Sequence, residues 1–263
     1  MANQHGDFIW YELMSPDPDA SEAFYRGLIG WSVEPGDPTG QVDYRLFRSD
    51  SAHVGGLLGL TPEDCAEGAR PTWVGYIGVE DVDAATANLV AQGGQVVMAP
   101  TTMEGVGRMA MLRDPQGAAI YLMRGASDAP SEAFAQDAPR MGHCAWNELR
   151  TPDPSAALAT YTACFGWEIA DSMDMGPMGS YDMLRNPPHE TLLGAMMRQP
   201  DPEARAMWLF YFRVADIDVA AAYITAQGGT VLMGPQEIPG GEFMINATDP
   251  QGALLALVGT RAG

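Results

Sequence analysis

The chain is written twice. Phe8–Trp31, FIWYELMSPDPDASEAFYRGLIGW, returns 136 positions later as Cys144–Trp167, CAWNELRTPDPSAALATYTACFGW. Trp10/Trp146, Glu12/Glu148, Leu13/Leu149, Tyr25/Tyr161, the P-D-P tripeptides and the Gly-Trp pairs all match. A second set, at an offset of 135, joins Trp73, Tyr76, Asp81, the Ala-Gln-Gly-Gly from Ala91 and the D-P-Q-G from Asp114 to Trp208, Tyr211, Asp216, Ala226 and Asp249. A tandem duplication of this kind limits the chain to folds that one half can adopt and the other can repeat. The expected organisation is a first domain over 1–124, an interdomain linker over 125–140 and a second domain over 141–263. The linker, GASDAPSEAFAQDAPR, is rich in Ala, Pro, Ser and acids and has neither the helical nor the strand period.

Within the first copy, Phe8–Met14 is a short apolar and aromatic run of the kind a buried strand requires. Pro16 and Pro18 stop it, and Asp17 or Asp19 can cap the following helix, whose inward stripe is Ala20, Ala23, Phe24 and Leu28. Gly30 ends that helix, and strands are expected at Trp31–Glu34, Val42–Arg48 and Ala52–Leu60. After a polar connector, Thr61–Pro71, the pattern recurs. A strand at Trp73–Val79 leads to a helix over Asp81–Gln92 and then to strands at Val96–Ala99, Met109–Arg113 and Ala118–Met123. Each copy therefore reads as two β-α-β-β-β units.

Composition narrows the function. The 263 residues carry 14 Lys+Arg against 34 Asp+Glu, a formal charge of −20. That balance argues against nucleic-acid and anionic-membrane partners, which need clustered cations. No apolar run approaches the ~18 residues of a membrane span, and MANQHGDF has no basic n-region of a signal peptide. Three unclustered cysteines, Cys65, Cys144 and Cys164, support neither a zinc ribbon nor a disulfide framework. A cytoplasmic protein with reduced thiols is the expectation.

Paired β-α-β-β-β units with a strand–Asp–helix–FY opening, and a D-P-x-G turn before the last strand, resemble the vicinal oxygen chelate superfamily. That is the family of glyoxalase I, bleomycin-resistance proteins, fosfomycin-resistance enzymes and extradiol dioxygenases. The resemblance covers nearly the whole chain and is closest to two-domain glyoxalase-like members carrying W-x-E-L followed by P-D-P. It implies an α+β fold in which each domain bends a mostly antiparallel sheet into a U around a cavity. It also implies His, Gln or Glu metal ligands on the cavity wall. By register those positions hold Trp10, Val74 and Tyr121 in the first copy, and Trp146, Leu209 and Ala256 in the second. None is an ordinary ligand for a divalent transition metal, with Tyr121 a weak exception. No metal and no other cofactor is expected.

Alternation along the strand places Glu12 with Trp10 and Glu148 with Trp146, and puts Tyr76 and Tyr211 on the same face of the second units. A carboxylate desolvated among aromatics suits a base for abstracting a proton next to a carbonyl, and a tyrosine suits an oxyanion donor. Either these glutamates are catalytic, or they anchor their strands through satisfied hydrogen bonds. Trp10 and Trp146 either stack on a flat ligand or plug the space the metal would fill. Tyr44, Tyr121 and Tyr181 either line the cavity or belong to the core. Trp73 and Trp208 point to the opposite face, under the helices. His5, His53, His143 and His189 do not repeat, which argues against a shared imidazole site. Two readings follow. One is a metal-independent enzyme that isomerises, lyses or hydroxylates a small carbonyl-bearing or aromatic compound. The other is a binding protein that sequesters such a molecule. A small-molecule ligand is the expected partner, and a homodimer is compatible with either.

Overall fold

The computed structural model describes residues 3–37, 39–40, 42–135, 139–201 and 204–261. Strand β1 (Phe8–Ser15) ends where Pro16 and Pro18 withdraw backbone donors. Asp17 then accepts the Ala20 N–H at 3.0 Å and caps helix α1 (Pro18–Ile29), which Gly30 closes at φ +87°. Three strands follow: β2 (Ser32–Pro35), β3 (Tyr44–Ser49) and β4 (Ala52–Gly59). The connector is not wholly irregular, for it carries a short helix, α2 (Pro62–Ala66). Thr61 and Asp64 form a capping box there, a signal that the polarity of the stretch obscures.

The next unit comprises β5 (Thr72–Gly78), α3 (Val82–Ala91) capped by Asp81, β6 (Gln95–Met103), β7 (Gly107–Arg113) and β8 (Ala119–Gly125). Strand β6 is longer than its alternation predicts, because register shifts after Val96 and Met98 break the period. Of the expected linker, residues 136–138 lie outside the described residues. Ala133 and Phe134 are buried, and Phe134 bridges Cys144.

The second copy repeats the order as β9 (Cys144–Thr151), α4 (Pro154–Phe165), β10 (Glu168–Asp174), β11 (Ser180–Arg185) and β12 (Leu192–Arg198). It then continues through β13 (Met207–Val214), α5 (Ile217–Ala226), β14 (Thr230–Glu237), β15 (Phe243–Thr248) and β16 (Leu254–Gly259). The strands form two eight-stranded sheets, ordered β2-β3-β4-β1-β5-β8-β7-β6 and β10-β11-β12-β9-β13-β16-β15-β14. The pairs β1·β4, β5·β8, β9·β12 and β13·β16 are parallel. The runs β2-β3-β4, β6-β7-β8, β10-β11-β12 and β14-β15-β16 are antiparallel. This is the α+β architecture that the resemblance implies, repeated in two tandem segments.

Packing divides the chain differently from the sheets. One compact unit is Met1–Ile9, Gly75–Ser131 and Trp146–Trp208; the other is Trp10–Val74, Glu132–Ala145 and Leu209–Gly263. The first holds the second and third β-α-β-β-β units, and the other holds the first and fourth. In the latter, Tyr11 meets Phe210 at 5.0 Å and Trp73 meets Phe212 at 4.8 Å. In the former, Tyr161 stacks on Trp167 at 5.1 Å and Phe8 meets Trp208 edge-on at 5.1 Å. Such aromatic pairs add about 0.5–1.5 kcal/mol each beyond area burial. Among the described residues no helix is long and apolar enough to cross a membrane.

Candidate functional site

In the unit holding the first and fourth modules, Trp10 of β1 donates its indole N–H to the Tyr44 hydroxyl of β3 at 3.0 Å. Between their strands lies β4, whose Gly56 is the register partner of Glu12. The Tyr44 ring lies so close to Gly56 that a Cβ there would overlap it. Glu12 itself is buried, 3% exposed. Tyr44 also edges an open cleft of about 570 Å³ with Val33, Asp43 and Arg45.

The equivalent cluster of the second copy lies in the other unit and is more polar. Trp146 donates to the Tyr181 hydroxyl at 2.8 Å, and Tyr181 donates to Glu148 Oε2 at 2.8 Å. Arg150 Nε donates to Glu148 Oε1 at 2.7 Å, with only 16% of the Arg150 side chain and 5% of the Glu148 side chain exposed. Arg150 lies two residues beyond Glu148, on the same strand face. Its counterpart in the first copy is the buried Met14. Arg150 lies outside the repeated positions and so was not among the expected site residues, and this cation is what separates the surroundings of Glu148 from the aromatic setting expected for it.

The second-module tyrosines diverge as well. Tyr76 of β5 and Tyr121 of β8 are register partners whose rings stack at 4.2 Å and 13°. Tyr211 of β13 faces Ala256 of β16, and its hydroxyl accepts the Asn246 side-chain amide of β15 at 3.2 Å. Asn246 was not among the expected site residues. Its one signal is a polar residue inside the otherwise apolar run Phe243–Ala247, on a strand that reads as core.

Trp73 and Trp208 turn to the helices, as alternation predicts. Trp73 donates to the Tyr25 hydroxyl at 2.9 Å, and Tyr25 donates to Asp249 Oδ2 at 3.0 Å. Trp208 donates to the Tyr161 hydroxyl at 3.0 Å, and Tyr161 donates to Asp114 Oδ2 at 3.2 Å. Burial, and then the neighbouring carboxylate, hold both phenols well above their usual range. Burial likewise raises Asp114 and Asp249, against the N–H donors of their turns. The repeated helix tyrosine and the D-P-Q-G turn, two separate sequence signals, are thus bonded to each other, crosswise between modules.

The wall positions do not fit a divalent metal of the family's kind. Trp10 and Trp146 present indole donors that are already given to tyrosines, and Tyr121 is stacked on Tyr76. Val74, Leu209 and Ala256 are buried apolar groups. Among the described residues no three of His, Cys, Asp and Glu gather where they could hold a metal ion.

Residues 8–122 and 140–257 match the family model described as Glyoxalase/Bleomycin resistance protein/Dioxygenase superfamily. The chain is 34% identical over 251 residues to a Mycobacterium tuberculosis protein named "Putative glyoxylase CFP32", covering 95% of this chain and 93% of that one. It is 30% identical over 264 residues to "Anthracycline biosynthesis protein DnrV" of Streptomyces peucetius, covering 97% and 93%. Among solved structures, the Mn(II)-bound glyoxalase of Novosphingobium aromaticivorans superposes with a TM-score of 0.65 at 17% identity, over 100% of this chain and 84% of that one. The duplicated β-α-β-β-β units and both matched segments make this chain a member of the Glyoxalase/Bleomycin resistance protein/Dioxygenase superfamily.

Proposed function

We propose that this protein binds a small planar molecule, aromatic or carbonyl-bearing, and acts on it by general acid/base chemistry without a metal. The supporting observation is the indole–phenol–carboxylate chain Trp146–Tyr181–Glu148, with its partial repeat Trp10–Tyr44 beside Glu12. In this reading Glu12 or Glu148 takes a proton from carbon next to a carbonyl, and Tyr76 or Tyr211 donates to the enolate oxygen that forms. Trp10 and Trp146, with Tyr44, Tyr121 and Tyr181, supply flat apolar walls. Isomerisation and elimination need nothing further, since the abstracted proton returns to the substrate or leaves with the departing group. The anthracycline named for the Streptomyces relatives is consistent with a polycyclic carbonyl substrate. Metal independence is supported by the residue types at the ligand positions.

A second reading, non-catalytic sequestration of bleomycin-resistance type, is favoured by the Arg150–Glu148 ion pair, which gives that glutamate a structural partner. Glu12→Gln and Glu148→Gln separate the two. Loss of turnover with retained ligand affinity in either variant supports the enzyme. Retained affinity with no turnover by the parent protein supports the binder. One equivalent of transition metal per copy in protein purified without chelator would contradict both as stated.

A further inference from the structure

The segment that joins the two copies folds back on the strand it leads into. Cys144, at the start of β9, donates its N–H to Ala133 O at 3.1 Å, and Ala135 donates to Cys144 O at 2.9 Å. Ala133 and Phe134 are buried there. Beside them His143 is 0% exposed, and its Nδ1 lies 2.6 Å from Glu132 O. A carbonyl oxygen can only accept, so Nδ1 carries the hydrogen of this bond. Nε2 is buried and has no hydrogen-bond partner among the described residues. In the neutral ring that leaves one acceptor unmet. In the imidazolium it leaves an N–H and a positive charge unmet, which costs far more.

We propose that His143 is a proton-operated clasp: the neutral ring holds Glu132–Ala135 against the start of β9, and protonation releases that segment. The charged groups that face the ring are Glu132 and Arg140 from its own stretch of chain and Asp50 from the turn between β3 and β4. Burial disfavours the cation most. The hydrogen bond to Glu132 O partly offsets it, Arg140 adds to it, and the Glu132 and Asp50 carboxylates oppose it, so the imidazole is held below its ordinary range. Glu132 and Arg140 are also paired with each other at 2.7 Å. Arg213 of β13 donates its backbone N–H to His143 O at 3.0 Å, while its guanidinium is bidentate on Glu242. With the folded value lowered, the clasp is at full strength above the ordinary imidazole value of about 6.5 and weakens as pH falls below it. The first copy has Asp7 at the equivalent position, so the device belongs to the second copy.

Amide hydrogen exchange of the full chain between about pH 5.5 and 7.5 tests this, with protection factors corrected for intrinsic rates; carboxylates ordinarily titrate below that window. The Cys144 and Ala135 amides report the clasped segment, and Leu257, buried in β16, reports global unfolding. Protection of Cys144 and Ala135 is expected to fall about tenfold across the window as pH drops. It is also expected to lie below that of Leu257 at every pH, because the segment opens without the strands around it. In His143→Asn, whose amide can donate where Nδ1 does but cannot titrate, the protection of both amides is expected to stay flat. Should that variant not fold, the His143 imidazole of the parent is titrated by NMR instead. An apparent pKa below about 6.5 is expected there, and one at or above it would overturn the proposal. Protection in the parent that ignores pH would overturn it too, as would a His143→Asn variant as acid-sensitive as the parent. Cys144 and Ala135 exchanging only with Leu257, at equal protection, would mean that no separate clasp opens.

Discussion

The Tyr25 hydroxyl donates to Asp249 Oδ2 at 3.0 Å across 224 residues of sequence. Tyr161 does the same to Asp114, so each helix of the first and third modules is tied to the last turn of the module it packs with. Tyr25→Phe removes the donor and leaves a buried carboxylate with fewer partners, at a cost of about 1–3 kcal/mol. Urea denaturation of Tyr25→Phe, Asp249→Asn and the double variant measures it. A coupling near zero would mean the bond adds nothing to the surrounding aromatic packing.

The same pairs set an alkaline limit. Both phenols have folded-state pKa values raised well above the ordinary tyrosine range, by burial first and the carboxylate second. A raised value contributes stability that is fully present below the unfolded pKa and is lost as pH rises through the folded one. Melting temperature is therefore expected to fall once pH passes about 10. The slope is expected to flatten in the Tyr25→Phe/Tyr161→Phe variant, provided that variant folds at neutral pH. An unchanged slope would assign the alkaline loss to other groups.

Arg150 and Glu148 form a largely buried pair, and removing one partner strands the other. Arg150→Met, which copies Met14, is expected to destabilise by about 3–5 kcal/mol. Adding Glu148→Gln is expected to recover most of that, because the uncompensated charge disappears. Guanidinium unfolding of the single and double variants decides this. A double variant no more stable than Arg150→Met would mean that guanidinium packing, not charge, carries the effect.

Gly56 makes room for Tyr44, whereas the second copy has Ala195 opposite Glu148. Gly56→Ala is expected to displace the Tyr44 ring, break its bond with Trp10 and cost about 1–3 kcal/mol. A shift in tryptophan emission absent from a Trp10→Phe background would trace the change to that indole. Unaltered emission would show that the ring finds another rotamer and keeps the bond.

Much of this was legible in the sequence. The duplication, the Asp17, Asp81, Asp153 and Asp216 caps and the inward-facing Trp73 and Trp208 all follow from local rules of capping and alternation. The short helix after Thr61 was not, because its capping box sits in a stretch too polar and brief to show a period. The functional clusters were half legible. Trp10, Glu12, Trp146 and Glu148 announce themselves by repeating. Arg150 and Asn246 do not repeat, and a reading built on shared positions passes over exactly the residues by which the copies differ. Nor could any local rule join Tyr25 to Asp249, since that bond depends on which modules share a core.

That crosswise sharing bears on how the chain is made. Helix α1 leaves the ribosome early, whereas the turn that receives its Tyr25 hydroxyl is translated 224 residues later. At about 5–20 residues per second the wait is on the order of 10–45 s. During it Tyr25, Trp31 and Trp73 have no access to Phe212, the aromatic that later meets Trp31 and Trp73. The middle two modules, adjacent in translation, can close their core first. The nascent chain is thus expected to hold an unfinished N-terminal surface until synthesis is nearly complete, a natural client for chaperones.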